Sequence, residues 1–276
     1  MIPKRQLLFG LYVDALGMDD VVTRCHMAIL TRNRLLVGVL NAAKVVELHK
    51  NPRLRDAMLD CDLLVADGQS VVWASKLLGR PLPERVAGID IFERLLQLAD
   101  RHALSVALLG ATATVNSKAR NEIERRYPNL KVVYSHHGYF TDAESARIAD
   151  EIQTSRADML FLGITSPKKE IFLANHSTQL DVPVQHGVGG SFDIMAGITL
   201  RAPAIWQAAG MEWAYRLLQE PRRLWRRYLS TNTGFIWLSV KEMFHPSSAI
   251  STGIRRTSER MVAHLNEQQP RSAADE

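Results

Sequence analysis

Short apolar runs and amphipathic stretches alternate through the first two hundred residues, and this alternation limits the fold more than any other feature. Residues 35–40, 63–66, 105–109, 131–135, 159–162 and 182–186 read as buried strands. Residues 18–31, 42–49, 53–59, 69–78, 91–102, 115–126, 143–154 and 168–178 carry apolar side chains at helical spacing. Such a pattern predicts parallel βαβ units in a doubly wound sheet with helices on both faces. Ligands of such sheets bind outside the carboxyl ends of the strands. The expected crevice is therefore lined by the residues just past each strand end: Asn41, Asp67, Gly110, Tyr139, the turn 163–167 and the loop 187–193.

Asp67 is the first candidate, because Leu63-Leu64-Val65-Ala66 runs straight into Asp67-Gly68 before a helix at Gln69. A carboxylate there has two uses: it caps the helix, or it takes a proton from a substrate. Asn41 stands at the equivalent junction one strand earlier, where a helix cap is the plainer use. The loop Gly187-Val188-Gly189-Gly190-Ser191-Phe192-Asp193 offers backbone amides near a helix start, which suits an anion. It is neither a Walker loop nor a Gly-x-Gly-x-x-Gly fingerprint, and tight turns use glycine equally well. Asp60 and Asp62 have metal-pair spacing but precede their strand, so they belong to the opposite pole and read as a solvated helix end.

Two cysteines, Cys25 and Cys61, build no disulfide framework or metal motif and read as core thiols in a reducing compartment. The N-terminal apolar run is too short for a secretory signal, and no eighteen-residue apolar run exists, so a cytoplasmic protein is expected. The net charge of +5 is concentrated. Between Leu200 and Pro246 there are seven basic residues against three acidic ones, which points to an anionic partner for that segment. Residues 203–219 look helical, and Pro221 starts a further helix. On it Arg222, Arg223, Arg226 and Arg227 fall on one side, and Leu224, Trp225, Tyr228 and Leu229 on the other. That arrangement suits a helix lying in a membrane interface, and it also suits a surface helix packed on its own domain. Three parts are expected: an α/β domain over 1–200, a basic amphipathic helical appendage over 201–246, and a polar tail over 247–276 expected to be disordered.

Taken together, Leu40-Asn41-Ala42, Ala66-Asp67-Gly68, Glu84-Arg85-Val86-Ala87-Gly88-Ile89-Asp90, Gly138-Tyr139-Phe140, Pro167-Lys168-Lys169-Glu170, the loop 187–193, Arg201-Ala202-Pro203 and the stretch 212–223 resemble the WecG/TagA/CpsF glycosyltransferases over roughly residues 35–238. The resemblance implies a Rossmann-like core with a mostly parallel sheet. It implies inverting transfer of a sugar from a UDP-sugar to a polyprenyl-diphosphate-linked saccharide, without a metal or other cofactor, at the inner face of the plasma membrane. It further implies Asp67 as general base, with Asn41 and Arg85 in the active site. Gly110, Tyr139, Gly187, Gly189, Gly190 and Asp193 would line the UDP-sugar side. Arg216, Arg222, Arg223, Arg226 and Arg227 would serve the diphosphate or the membrane. Two positions depart from the family pattern: Val39 stands where Thr is common and Lys169 where Gln is common, which bears on sugar specificity. The oligomeric state is left open, a homo-oligomer included. The competing readings are a non-catalytic nucleotide-binding module and an arginine-helix nucleic-acid binder. Against the latter, the segment is rich in Trp and carries no nucleic-acid motif.

Overall fold

A computed structural model describes residues 4–177 and 179–250, with the side chains of Ala208, Arg223 and Arg227 outside that description. The tail expected over 247–276 lies outside the described residues from 251 onward. The chain opens with a hairpin that the apolar alternation does not announce: β1 (Arg5–Leu8) pairs antiparallel with β2 (Leu11–Asp14). Phe9 and Gly10 form its two-residue turn with φ of 52° and 82°, the positive pair that a twisted hairpin requires.

Next in the chain are α1 (Met18–Thr31), β3 (Leu35–Leu40), α2 (Ala42–Leu48), α3 (Pro52–Leu59), β4 (Leu63–Ala66), α4 (Gln69–Leu77) and α5 (Gly88–Arg101). Then come β5 (Ser105–Gly110), α6 (Ala113–Arg126), β6 (Lys131–His136), α7 (Asp142–Thr154), β7 (Met159–Gly163), α8 (Lys168–Asn175), β8 (Val184–Gly187) and α9 (Ser191–Met195). The C-terminal part holds α10 (Ala204–Ala208), α11 (Glu212–Gln219) and α12 (Pro221–Phe244). The single helix expected over 203–219 is thus two pieces, broken at Gly210 and Met211.

Six strands form one parallel sheet in the order β4-β3-β8-β7-β5-β6. The fold is Rossmann-like α/β, as the alternation predicts. Strands β3, β4 and β7 are almost wholly apolar because both of their faces are covered. One face packs on α1, α5, α6 and α9 through residues such as Cys25, Phe92, Ala119 and Phe192. The other packs partly on α7 and α8 through Ile148 and Phe172, and partly on α2, α4 and the hairpin. Asp14 of the hairpin accepts the Leu64 amide at 2.9 Å and pairs with Arg5 at 2.9 Å, so the hairpin shields the β4 edge.

The second half of α12 joins this core. Phe235 and Leu238 are buried among the hairpin, α2 and α4, and Phe9 packs on the Phe235 ring at 5.4 Å. Buried Glu242 pairs with Arg80 at 3.1 Å and accepts from the Ser247 amide at 3.1 Å, which pins the end of α12. Both cysteines are unbridged.

Candidate active site

The carboxyl ends of the six strands share one rim, and the crevice residues expected from the sequence all lie along it. Asn41 follows β3, Asp67 follows β4, Tyr139 follows β6, and Gly110, Gly163 and Gly187 end β5, β7 and β8. Neighbouring strands β3 and β4 place Leu40 opposite Ala66, so the next residue of each comes together. Asn41 Nδ2 donates to Asp67 Oδ2 at 3.1 Å. The other end of the Asn41 amide, Oδ1, accepts the Lys44 amide at 3.1 Å and caps α2, as the sequence suggests.

Asp67 does not cap the helix after it; Gly68 occupies that position without a side-chain bond. Its Oδ1 instead accepts the amide of Gly88 at 2.9 Å, the first residue of α5. The carboxylate therefore sits at the positive end of a helix from elsewhere in the chain, where a negative charge is favoured. Both of its oxygens are oriented, and the side chain remains half-buried at the rim.

Arg85, on the loop leading into α5, is held by Glu212 of α11 at 3.1 Å and by Asp90 at 3.8 Å. Arg201 joins the same group, bonding Asp90 and lying 3.3 Å from Glu93 and 3.8 Å from Glu212. Burial pushes the Glu93 carboxyl up, with Arg201 opposing. Two guanidinium groups face three carboxylates here, so Arg85 is fully compensated in this state. The network also ties α11 to the sheet domain.

Beneath the glycine loop lies a buried ionic trio. Lys44 Nζ pairs with Glu170 at 2.9 Å and donates to the Val39 carbonyl at 2.7 Å. Lys169 Nζ donates to the Gly187 carbonyl at 3.2 Å and lies 3.8 Å from Glu170. Burial and the adjacent Lys44 draw Lys169 down to about 8, although Glu170 and Asp67 oppose them. Burial raises Glu170, but the two ammonium groups outweigh it and hold the carboxyl below its ordinary range. A Cβ at Gly187 would stand 2.8 Å from Lys169 Cδ, so a larger residue there would push the lysine side chain aside. Val39, the other departure from the family pattern, packs its side chain into the core.

The loop itself offers fewer amides than the sequence promised. Val188 and Gly189 both donate to the Leu162 carbonyl, at 2.9 and 3.2 Å, and Ser191 donates to the Val188 carbonyl. Asp193 lies within the short α9, its backbone carbonyl accepting from Ile198 and Thr199. Gly110, at φ 148°, lets β5 approach β7 so closely that a Cβ would meet the Gly163 carbonyl carbon at 2.4 Å. The chain leaves β5 toward β6 and leaves β7 in the opposite direction toward β8, so this is a point where connections reverse. Tyr139, 74% exposed, belongs to the same end of the rim. From β4 to β5 the rim spans four strand spacings, about 19 Å at about 4.8 Å each.

The basic appendage is largely uncovered. No residue of α11 is buried, and Arg216 is half-exposed. On α12, Trp225, Leu229, Ile236, Val240 and Met243 are exposed and fall within about 60° of one another at about 100° per residue. Exposed Arg222 and Arg226 border one side of that stripe, and the Arg226 guanidinium stacks over Trp225 at 5.3 Å. The orientations expected for Arg223 and Arg227 lie outside the described side chains. No described helix is long and apolar enough to cross a membrane.

Asp60 and Asp62 do lie at the opposite pole; Asp60 ends α3 at the partly exposed position expected, but the solvated helix end needs correction for Asp62. Asp62 is buried, accepts the Leu36 amide at 2.8 Å and lies 3.7 Å from Arg34, so it ties β4 to β3. Among the described residues no group of three or more His, Cys, Asp or Glu gathers as a metal site. Sequence reasoning gives Lys44 and His186 no place, and it quotes Gly88, Glu170, Arg201 and Glu212 only as parts of family-like motifs, without a role. Each joins the site through a partner distant in sequence or through burial.

The sequence matches the profile described as the Glycosyl transferase WecG/TagA/CpsF family over residues 6–249. A Bacillus spizizenii protein named N-acetylglucosaminyldiphosphoundecaprenol N-acetyl-beta-D-mannosaminyltransferase is 36% identical over 220 residues, covering 79% of this chain and 84% of its own. A Staphylococcus aureus protein of the same name is 34% identical over 223 residues, covering 78% and 87%.

Proposed function

This chain belongs to the WecG/TagA/CpsF family of glycosyl transferases, and from that premise we propose that it moves a sugar from a UDP-sugar to a polyprenyl-diphosphate-linked saccharide, inverting the anomeric centre. The observation that carries the reading is Asp67, a rim carboxylate aimed from two sides by Asn41 and Gly88. As the acceptor hydroxyl oxygen attacks the sugar's anomeric carbon, Asp67 takes the hydroxyl proton. The bond from that carbon to the diphosphate breaks, and UDP leaves with the electron pair. Donor binding is assigned to the rim from the glycine loop to Gly110 and Tyr139, with Asp193 beside it. Lys169 would lie near the donor sugar from below the loop.

Charge grows on the departing diphosphate and needs cations. Arg85 precedes Val86, whose amide bonds the Ala66 carbonyl next to Asp67 at 2.8 Å, so it is a candidate, but it must exchange Glu212 for phosphate oxygens. Arg216, Arg222, Arg223, Arg226 and Arg227 are the further candidates. The two relatives are named for an N-acetylmannosamine transfer to a GlcNAc-diphosphate lipid, which makes that donor and acceptor the first to try. The test is a screen of UDP-sugars against a short-chain polyprenyl-diphosphate sugar, with and without chelator. Turnover that survives chelation is expected. Failure of every donor would favour a non-catalytic nucleotide-binding module.

We place the enzyme on the inner face of the plasma membrane, seated through α12. The support is the exposed stripe of Trp225 and Leu229 with arginines at its margin, since a helix packed only on its own domain would cover those side chains. Trp225 and Leu229 are each about half exposed, so together they have one full side chain's worth, about 1.5–3 kcal/mol, left to gain on burial. Replacing both by Ser should weaken partition into anionic vesicles roughly 10- to 100-fold. Co-sedimentation measures this, and undiminished binding would refute the seat.

A further inference from the structure

His186 is fully buried at the residue before the glycine loop, and the chemistry above does not use it. Its Nδ1 faces the Val37 carbonyl of β3 and its Nε2 faces the Gly88 carbonyl at the start of α5, each at 3.1 Å. Burial pushes the imidazole down to about 4, against the pull of both carbonyls. The ring is therefore neutral at pH 7 and has one N–H for two acceptors. Which carbonyl receives it matters, because Gly88 is the residue whose own amide holds Asp67 Oδ1. Carboxylate, glycine and imidazole lie in one hydrogen-bonded line, from the rim of β4 through the start of α5 to the interior of β8.

We propose that His186 is a positioning residue for Asp67: it donates from Nε2 to the Gly88 carbonyl and so fixes the glycine whose amide aims the carboxylate. The sheet supports the line from below, since Val37 stands opposite His186 in the β3–β8 ladder. Without the imidazole contact, the first turn of α5 can tilt, and a small displacement of Asp67 relative to the acceptor hydroxyl is enough to slow the reaction. The inference rests on Asp67 being the base.

The first test is ¹⁵N NMR of the intact enzyme, in which Nε2 of His186 should be the protonated nitrogen. A proton found on Nδ1 would overturn the proposal without any mutation. The second is kinetic. His186→Phe should lower kcat roughly 10- to 100-fold, with KM for the UDP-sugar within about twofold of wild type, because only the carboxylate's aim is lost. His186→Gln, which keeps an N–H donor, should recover most of the rate, whereas a histidine that merely fills space would leave both variants alike. On an Asp67→Asn background His186→Phe should have no further effect on the residual rate. Full turnover in folded His186→Phe, or an equal cost with and without Asp67, would sink the positioning role. An active Asp67→Asn would instead sink the base assignment, so the two failures are told apart.

Discussion

Asp67→Asn should lower kcat by roughly 10²- to 10⁴-fold, the usual contribution of a positioned general base, while UDP still binds. The amide keeps an oxygen for the Gly88 N–H, so the start of α5 stays in place. Its NH₂ then faces the Asn41 NH₂, which cannot turn over without releasing the Lys44 amide that it caps. One hydrogen bond is lost at a half-buried site, a cost of about 1 kcal/mol. Thermal denaturation should therefore show a small shift, and calorimetry should show UDP affinity near wild type. Unchanged turnover in this variant would remove Asp67 as the base. A collapse in UDP affinity equal to the loss of rate would mean that the carboxylate serves binding and not proton transfer.

Glu170→Gln should cost about 3–5 kcal/mol of stability, because it leaves Lys44 and Lys169 as neighbouring buried cations without their shared counterion. The penalty should depend on pH. Lys169 is drawn down to about 8 in the folded chain, against about 10.4 when unfolded. Between those values the unfolded state holds the extra proton, so this group makes wild-type stability rise with pH through that window. In the variant, loss of Glu170 draws Lys169 lower still, and shedding its proton relieves the repulsion. The deficit relative to wild type should accordingly be largest at low pH, shrink as the pH rises toward 8, where the variant's Lys169 has lost its proton before the wild type's, and stay level above 8. Urea titrations of both proteins at pH 7 and pH 9.5 measure the difference. A deficit under about 1 kcal/mol, or one that grows with pH, would show that the trio is more hydrated than its burial indicates.

The appendage calls for a gentler experiment than removal. Cutting the chain after Arg201 deletes Phe235, Leu238 and the buried Glu242–Arg80 pair along with the exposed arginines. Such a truncation would lose activity through the core whether or not α12 meets a membrane. Point changes on the exposed stripe separate the two causes.

The elements that periodicity could find were the ones with strong local signals. Strand β4 is a continuous apolar run because neighbours cover both of its faces, and α5 shows a full apolar stripe through Ile91, Leu95 and Leu98. The hairpin escaped because its strands have four residues each and its turn is Phe9-Gly10, not an Asn-Gly or Asp-Gly pair. The break at Gly210 escaped because the residues on either side keep a helical rhythm. Among site residues, Asn41 and Asp67 were legible since each ends a strand, and chain order alone sends both to the same rim.

Sequence alone thus determined the parallel α/β sheet, the rim at the carboxyl ends of its strands and the two polar residues at the ends of β3 and β4, because these arise from residue period and from one handed way of connecting strands. It also determined the family. Only the tertiary structure decided that Asp67 is held by the amide of Gly88 rather than capping its own helix, and that Arg85 is occupied by Glu212. It alone decided that Lys44, Glu170 and Lys169 share one buried site and that half of α12 belongs to the core. Those facts depend on contacts between residues twenty to more than a hundred positions apart, whose strength is set by burial and by the local dielectric, and a linear pattern carries neither.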